Sequence, residues 1–152
     1  MDEYKGLPSR AVAPLIVIDP KTKTFRKDHF DNERTIETQN DKIITLLSKH
    51  HPVMFFNVIQ LGEIDKKCRL VMYVDDSGVL QPNSYFQMYP NYQPYAGTSV
   101  LVAQDKFSQR PVRRYDHEFL LQFVNRHVTW LKEEEARNIV PDLGKIYIHG
   151  FQ

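Results

Sequence analysis

Six histidines and a single cysteine are the side chains of this sequence best suited to chemistry. His127 and Thr129 form one His-x-Thr, half of an arrangement in which two histidines act as base and acid on a phosphodiester. The second half is missing. His29, His50, His51, His117 and His149 are followed two positions later by Asp31, Pro52, Val53, Phe119 and Phe151. His127 also falls in the middle of an expected helix beside an apolar stripe, where a packing role outweighs an acid or base role. No catalytic residue is therefore assigned. His50 with His51, and Asp116, His117 and Glu118, offer metal-ligating atoms, but adjacent residues on a helix point away from one another, so no metal is expected. Cys68 stands alone, which removes an internal disulfide and a multi-cysteine zinc cluster; at the start of a strand it reads as a small packing residue. The six glycines are scattered, so no phosphate-cradling loop is present and no cofactor is expected.

Binding chemistry has better candidates. The tract from Ser84 to Tyr95 carries Tyr85, Phe86, Met88, Tyr89, Tyr92 and Tyr95. Such rings supply large contact area at low entropic cost and are enriched at interfaces. The competing reading, of equal weight, has the rings pinning an irregular loop to its own sheet. Arg110, Arg113 and Arg114 sit beside Tyr115, and Lys21, Lys23, Arg26 and Lys27 form a second cationic group. Arginine forks beside aromatics suit phosphate. However, 20 basic against 19 acidic residues leave a net charge of only +1, so solvated surface is the favoured reading and nucleic acid is not an expected partner. The candidate binding set is Tyr85, Phe86, Tyr89, Tyr92, Tyr95, Arg113 and Arg114.

The elements that must position these residues follow from periodicity. With 152 residues, 41% hydrophobic and 26% charged, the chain has the size and composition of one globular domain. Residues 1–12 read as a flexible arm and 13–152 as a single α+β domain. Strands are expected at Leu15–Ile18 and Thr22–Phe25, joined through Asp19-Pro20, with a polar loop from Arg26 to Arg34. A helix is expected over about 37–49, with Ile43, Leu46 and Leu47 on one stripe and Ile36 and Asn40 on the same side. Val53–Leu61 reads as a central strand covered on both faces, paired antiparallel with Arg69–Val74. Asp75, Asp76, Ser77 and Gly78 form a turn signal. Four breakers at Pro82, Pro90, Pro94 and Gly97 leave no room for a long element across 82–97. Thr98–Ala103 is a further strand. A long helix is expected at about 117–137, with Asp116 as N-cap and Glu133 paired with Arg137, then a last strand at 145–149. The expected fold is α+β, a mostly antiparallel sheet of about five strands with two helices.

Three segments, Leu15–Phe25, Met72–Leu80 with Asn83, and Ala96–Ala103, together resemble DUF3846, a family of small domains of unknown function from phages, mobile elements and bacteria. The resemblance spans about residues 14–105. It implies a compact α+β module and a viral or mobile-element origin, and it assigns no activity. The tract at 85–95 and everything from the expected helix at 117 onward stand outside the family pattern.

The expected function is a non-enzymatic binding protein, engaging another protein, or secondarily a small-molecule ligand, through the aromatic tract. The resemblance adds an accessory role for a virus or mobile element acting on a host factor or within a larger assembly. The alternatives are a phosphoesterase using His127 and a single-stranded nucleic-acid binder using Tyr85, Tyr89, Tyr92, Arg113 and Arg114. No apolar run approaches the length of a membrane span, and the sequence opens on acidic residues without an apolar leader, so a cytoplasmic location without membrane insertion is expected.

Overall fold

A computed structural model describes residues 12–31, 35–76, 84–88 and 93–139. Their order is β1 (Ala13–Asp19), β2 (Thr24–Phe30), α1 (Ile36–Leu47), β3 (Phe56–Glu63), β4 (Cys68–Asp75), β5 (Tyr85–Met88), β6 (Gln93–Ala96), β7 (Ser99–Asp105), α2 (His117–His127), β8 (Val128–Leu131) and α3 (Glu133–Ile139). The architecture is α+β. Five strands form one sheet in the order β2-β1-β7-β4-β3, and three short strands form a second in the order β6-β5-β8. Every strand pair is antiparallel.

Alternation along the inner strands explains how one sheet separates two cores. Leu15, Val17, Val71, Tyr73, Val100 and Val102 face α1 and meet Ile43, Leu46 and Leu47. Ile16, Ile18, Leu70, Met72, Leu101 and Ala103 face the other way, onto α2 and the small sheet, where they meet Phe86, Tyr95, Leu120 and Val124. Because side chains alternate with period two, strands buried on both faces must carry apolar residues at successive positions, as β1 does over Leu15–Ile18 and β7 over Val100–Ala103.

Helix ends follow their local chemistry. Thr35 caps α1 by accepting from the Thr38 backbone, and the Thr38 hydroxyl accepts from the Thr35 N–H, a reciprocal capping box. Asp116 caps α2 as expected, accepting from the Phe119 N–H at 2.9 Å.

Several expectations change. The polar stretch after Phe25 is not a loop: β2 continues to Phe30, because as an outer strand it leaves Arg26 and Lys27 in water while pairing with β1. β3 is an edge strand, not a central one, and the doubly covered positions belong to β1, β7 and β4. The described part of the tract at 82–97 holds no long element, in keeping with its breakers, but it does contribute two four-residue strands. The single helix at 117–137 is interrupted: Val128, Thr129, Trp130 and Leu131 leave the helix and pair with β5 as β8, and α3 begins afterwards. Two β-branched residues followed by tryptophan are better accommodated in a strand than in a helix interior. The Glu133–Arg137 pair is formed, within α3. Val12, assigned to the arm, is buried. The rest of the arm and the strand expected at 145–149 lie outside the described residues. No helix among the described residues is long and apolar enough to cross a membrane.

Candidate functional site

The α1 face of the large sheet is wider than its cover. Five strands at about 4.8 Å spacing span about 19 Å, whereas a helix with its side chains is about 10 Å across. α1 packs on β7 and β4, and the β3 side stays open. The result is a cleft of about 380 Å³ between the first half of α1 and strands β3, β4 and β7. That volume is within the ordinary range for ligand pockets.

The cleft has an apolar rim and a polar floor. Ile36 and Val58 line its mouth, each about half exposed. The floor carries Arg69, Tyr73 and Gln104, and Gln39 faces them from α1. Strand alternation places Arg69 and Tyr73 on one face of β4. The Arg69 Nε–H donates to Gln104 Oε1 at 2.8 Å, and the Gln104 amide nitrogen donates to the Gln109 carbonyl at 3.3 Å and reaches Tyr73 Oη at 3.5 Å. These bonds fix the guanidinium plane while leaving its terminal nitrogens unused. No carboxylate among the described residues forms an ion pair with Arg69. Burial raises the pKa of Tyr73, which keeps the phenol protonated and able to donate.

Gln39 is the anomaly. It is only 5% exposed, and its Nε2 has no hydrogen-bond partner. A buried amide nitrogen left unpaired costs about 1–3 kcal/mol. Arg69 and Tyr73 therefore bring unused donors to one cleft, with the unpartnered Gln39 amide buried in its wall, an arrangement that favours an acceptor-rich, negatively charged group.

A second cluster sits at the opposite end of the same face. Asp19 ends β1 and Asp75 ends β4, on either side of β7. The turn leaving α1 supplies Lys49 Nζ at 3.0 Å and His50 Nε2 at 2.8 Å to Asp19 Oδ2, and His51 Nε2 at 2.9 Å to Asp75 Oδ2. Burial works to raise the Asp19 pKa, but the bonds from His50 and Lys49 outweigh it and bring it down to about 2. The two histidines were set aside as neighbours on a helix. They in fact follow the end of α1 and diverge onto two carboxylates. Thr98, just before β7, is buried with its hydroxyl unpartnered. Thus Asp19, Asp75 and Thr98 gather at one end of the sheet. No group of three or more His, Cys, Asp or Glu among the described residues is placed to hold a metal ion.

The sequence-selected residues are elsewhere. Tyr85, Phe86 and Tyr95 are 1%, 0% and 2% exposed. Phe86 and Tyr95 hold the small sheet against the large one, while Tyr85 packs on the other face of the small sheet with Ala96, Leu131 and Ala136 of α3, so none of the three presents a surface to a partner. Tyr89 and Tyr92 lie outside the described residues. Arg114 is exposed, 3.3 Å from Asp65 and over the Tyr115 ring, while Tyr115 donates a short hydrogen bond to Asp65. That bond, with the backbone N–H of Lys67, lowers the Asp65 pKa to about 2 and raises that of Tyr115 to about 12. Arg113 is half-buried in the same segment. These arginines lie in the link between β7 and α2 and do not line the cleft. His127 packs its ring on Phe123 at 4.6 Å. Cys68 is buried, and burial raises its pKa.

Sequence reasoning missed Gln39, Arg69, Tyr73 and Gln104. A signal was present: Gln39 falls four residues before Ile43 on the apolar stripe, and Arg69 and Gln104 interrupt apolar alternation near strand ends. Compared with known proteins, the chain matches no family model, no curated protein and no solved structure.

Proposed function

We propose that this protein is a non-catalytic binding protein whose recognition site is the cleft between α1 and strands β3, β4 and β7. The observation that carries the reading is a cleft lined by Arg69, which has no carboxylate partner among the described residues, with the buried and unpartnered amide nitrogen of Gln39 in the cleft wall. A protein retains such a group at a cost to stability, and a ligand that accepts its hydrogen bond removes that cost. The binding class is the one expected from the sequence. Tyr85, Phe86 and Tyr95 of the aromatic tract are interior and form no part of this surface. The DUF3846 resemblance and a viral or mobile-element accessory role remain proposals resting on the three segments alone.

The test is an NMR titration with acetate, glutarate and inorganic phosphate, following the Gln39 side-chain amide and the Arg69 Nε–H. The expected result is a saturable shift of both signals, with affinity at least about tenfold weaker in Arg69→Gln, the loss of one charge-assisted bond. Signals that stay fixed in the folded protein at high anion concentration would overturn the site.

A further inference from the structure

The two edges of the large sheet are built differently. β2 carries Arg26, Lys27 and Asp28, charges of the kind that protect an edge from pairing with another chain. β3 has no neighbour on its outer side among the described residues, and residues 54–62 contain no charged side chain. Met54, Phe55 and Val58 are exposed at this edge.

The direction of the free backbone groups can be worked out. The Asp76 N–H donates to the Phe55 carbonyl at 3.1 Å, and the register pairs Phe56 with Asp75, Asn57 with Val74 and Ile59 with Met72. Phe55, Asn57 and Ile59 thus turn their backbone groups toward β4. Phe56, Val58 and Gln60 turn theirs outward, because alternate residues of an antiparallel strand bond to opposite sides. The side chains of the same three residues line the cleft. A strand added here would place the side chains opposite Phe56, Val58 and Gln60 on the cleft face, about 5 Å from them.

We propose that the occupant of this edge is an extended, acidic peptide segment of a partner protein. It adds to β3 as a sixth strand and directs a glutamate or aspartate side chain across β3 toward Arg69. The proposal rests on the cleft being the recognition site. Charge complementarity selects the occupant: the donors of Arg69 and Tyr73 call for a carboxylate, and main-chain bonds to Phe56, Val58 and Gln60 call for an extended backbone. The register shift between Gln60 and Gly62 limits the regular edge to about five residues, which suits a short segment.

Two capped heptapeptides of alternating threonine and valine, identical except for a central glutamate or glutamine, test the proposal on the full chain. The glutamate peptide is expected to bind at least about tenfold more tightly, and Arg69→Gln is expected to erase the difference. Binding should slow amide exchange at Phe56, Val58 and Gln60 and leave Asn57 and Ile59, already bonded to β4, nearly unchanged. Val58→Pro removes an outward N–H that no described strand uses, and should abolish peptide binding with little change in melting temperature. If that variant does not fold, the alternating exchange pattern in the unaltered protein decides. Equal affinity for the two peptides overturns the proposal. So does a concentration-dependent dimer that protects the same three amides, since the edge then belongs to a second copy. Glutarate bound at Arg69 without any peptide binding overturns the strand and keeps the cleft. If neither glutarate nor peptide binds, both readings fall.

Discussion

His50 Nε2 lies 2.8 Å from Asp19 Oδ2, joining the turn that leaves α1 to the end of β1. The carboxylate is 1% exposed and is also held by Lys49 and by the backbone N–H of Lys21 at 3.1 Å. A buried carboxylate stays ionised only when such partners surround it. The contact therefore ties the C-terminal end of α1 to the sheet and closes the core beneath it.

The acid limb of stability should report this contact. The Asp19 pKa is about 2 in the folded protein against an ordinary value of 3.8, so the folded state favours the ionised form. Its contribution is present above the unfolded-state value and is lost as pH falls through the folded one. Asp19→Asn should cost about 1.5–3 kcal/mol near neutrality, the range for hydrogen bonds to charged groups, and less at pH 2. Urea unfolding of both proteins across pH 2–7 checks this; a difference that stays constant with pH would assign the cost to packing instead.

The aromatic tract separates by substitution. Phe86→Ala should lose about 3–5 kcal/mol, the usual cost of emptying a fully buried aromatic site. Tyr85→Phe should be neutral or stabilising by up to about 1 kcal/mol, because the buried Tyr85 hydroxyl has no partner to lose. Thermal unfolding of the two variants reads both effects. A Tyr85→Phe protein markedly less stable than the parent would mean that the hydroxyl is satisfied in solution.

Much of this architecture was legible because local and tertiary preferences agree. The apolar, β-branched runs in Leu15–Ile18 and Thr98–Ala103, the stripe of Ile43, Leu46 and Leu47, and the cap at Asp116 each need only neighbours in sequence. Trp130 shows where this fails. Its apolar ring fits the i, i+3, i+4 stripe of a longer α2, yet in β8 it packs on Phe25 at 5.1 Å and on Phe86 at 6.5 Å. Those partners are over 40 positions away, and no window along the chain contains them. The cleft was hidden for the same reason, since Gln39, Arg69 and Gln104 share a cavity only after three elements pack. Tyr85, Phe86 and Tyr95 could not be assigned to interface or core from sequence, because interface rings and core rings have the same composition.

The cap of α2 gives a local test of the broken helix. Asp116→Ala should cost about 0.5–2 kcal/mol through loss of the bond to the Phe119 N–H. Because β8 pairs with β5 rather than extending the helix, the cost should appear as a cooperative loss that includes the small sheet. Amide exchange at Thr129 and Trp130 measures it. Exchange that accelerates only in 117–127 would show that α2 and β8 open separately.

Gln39 provides the sharpest opposition between stability and function. Replacing it with leucine keeps similar volume, removes an unpaired amide and extends the stripe of Ile43 and Leu47. Burying a hydrocarbon in place of an unsatisfied polar group is favourable, so Gln39→Leu should be more stable by about 1–2 kcal/mol. The same change removes the polar group in the cleft wall, and if the ligand draws on that amide, binding of glutarate should fall at least about tenfold. Chemical unfolding and NMR titration on the same variant measure both quantities. Stabilisation together with lost binding identifies a residue kept for recognition. Destabilisation would mean that an ordered water already satisfies the amide, and the case for Gln39 as a ligand donor would fall with it.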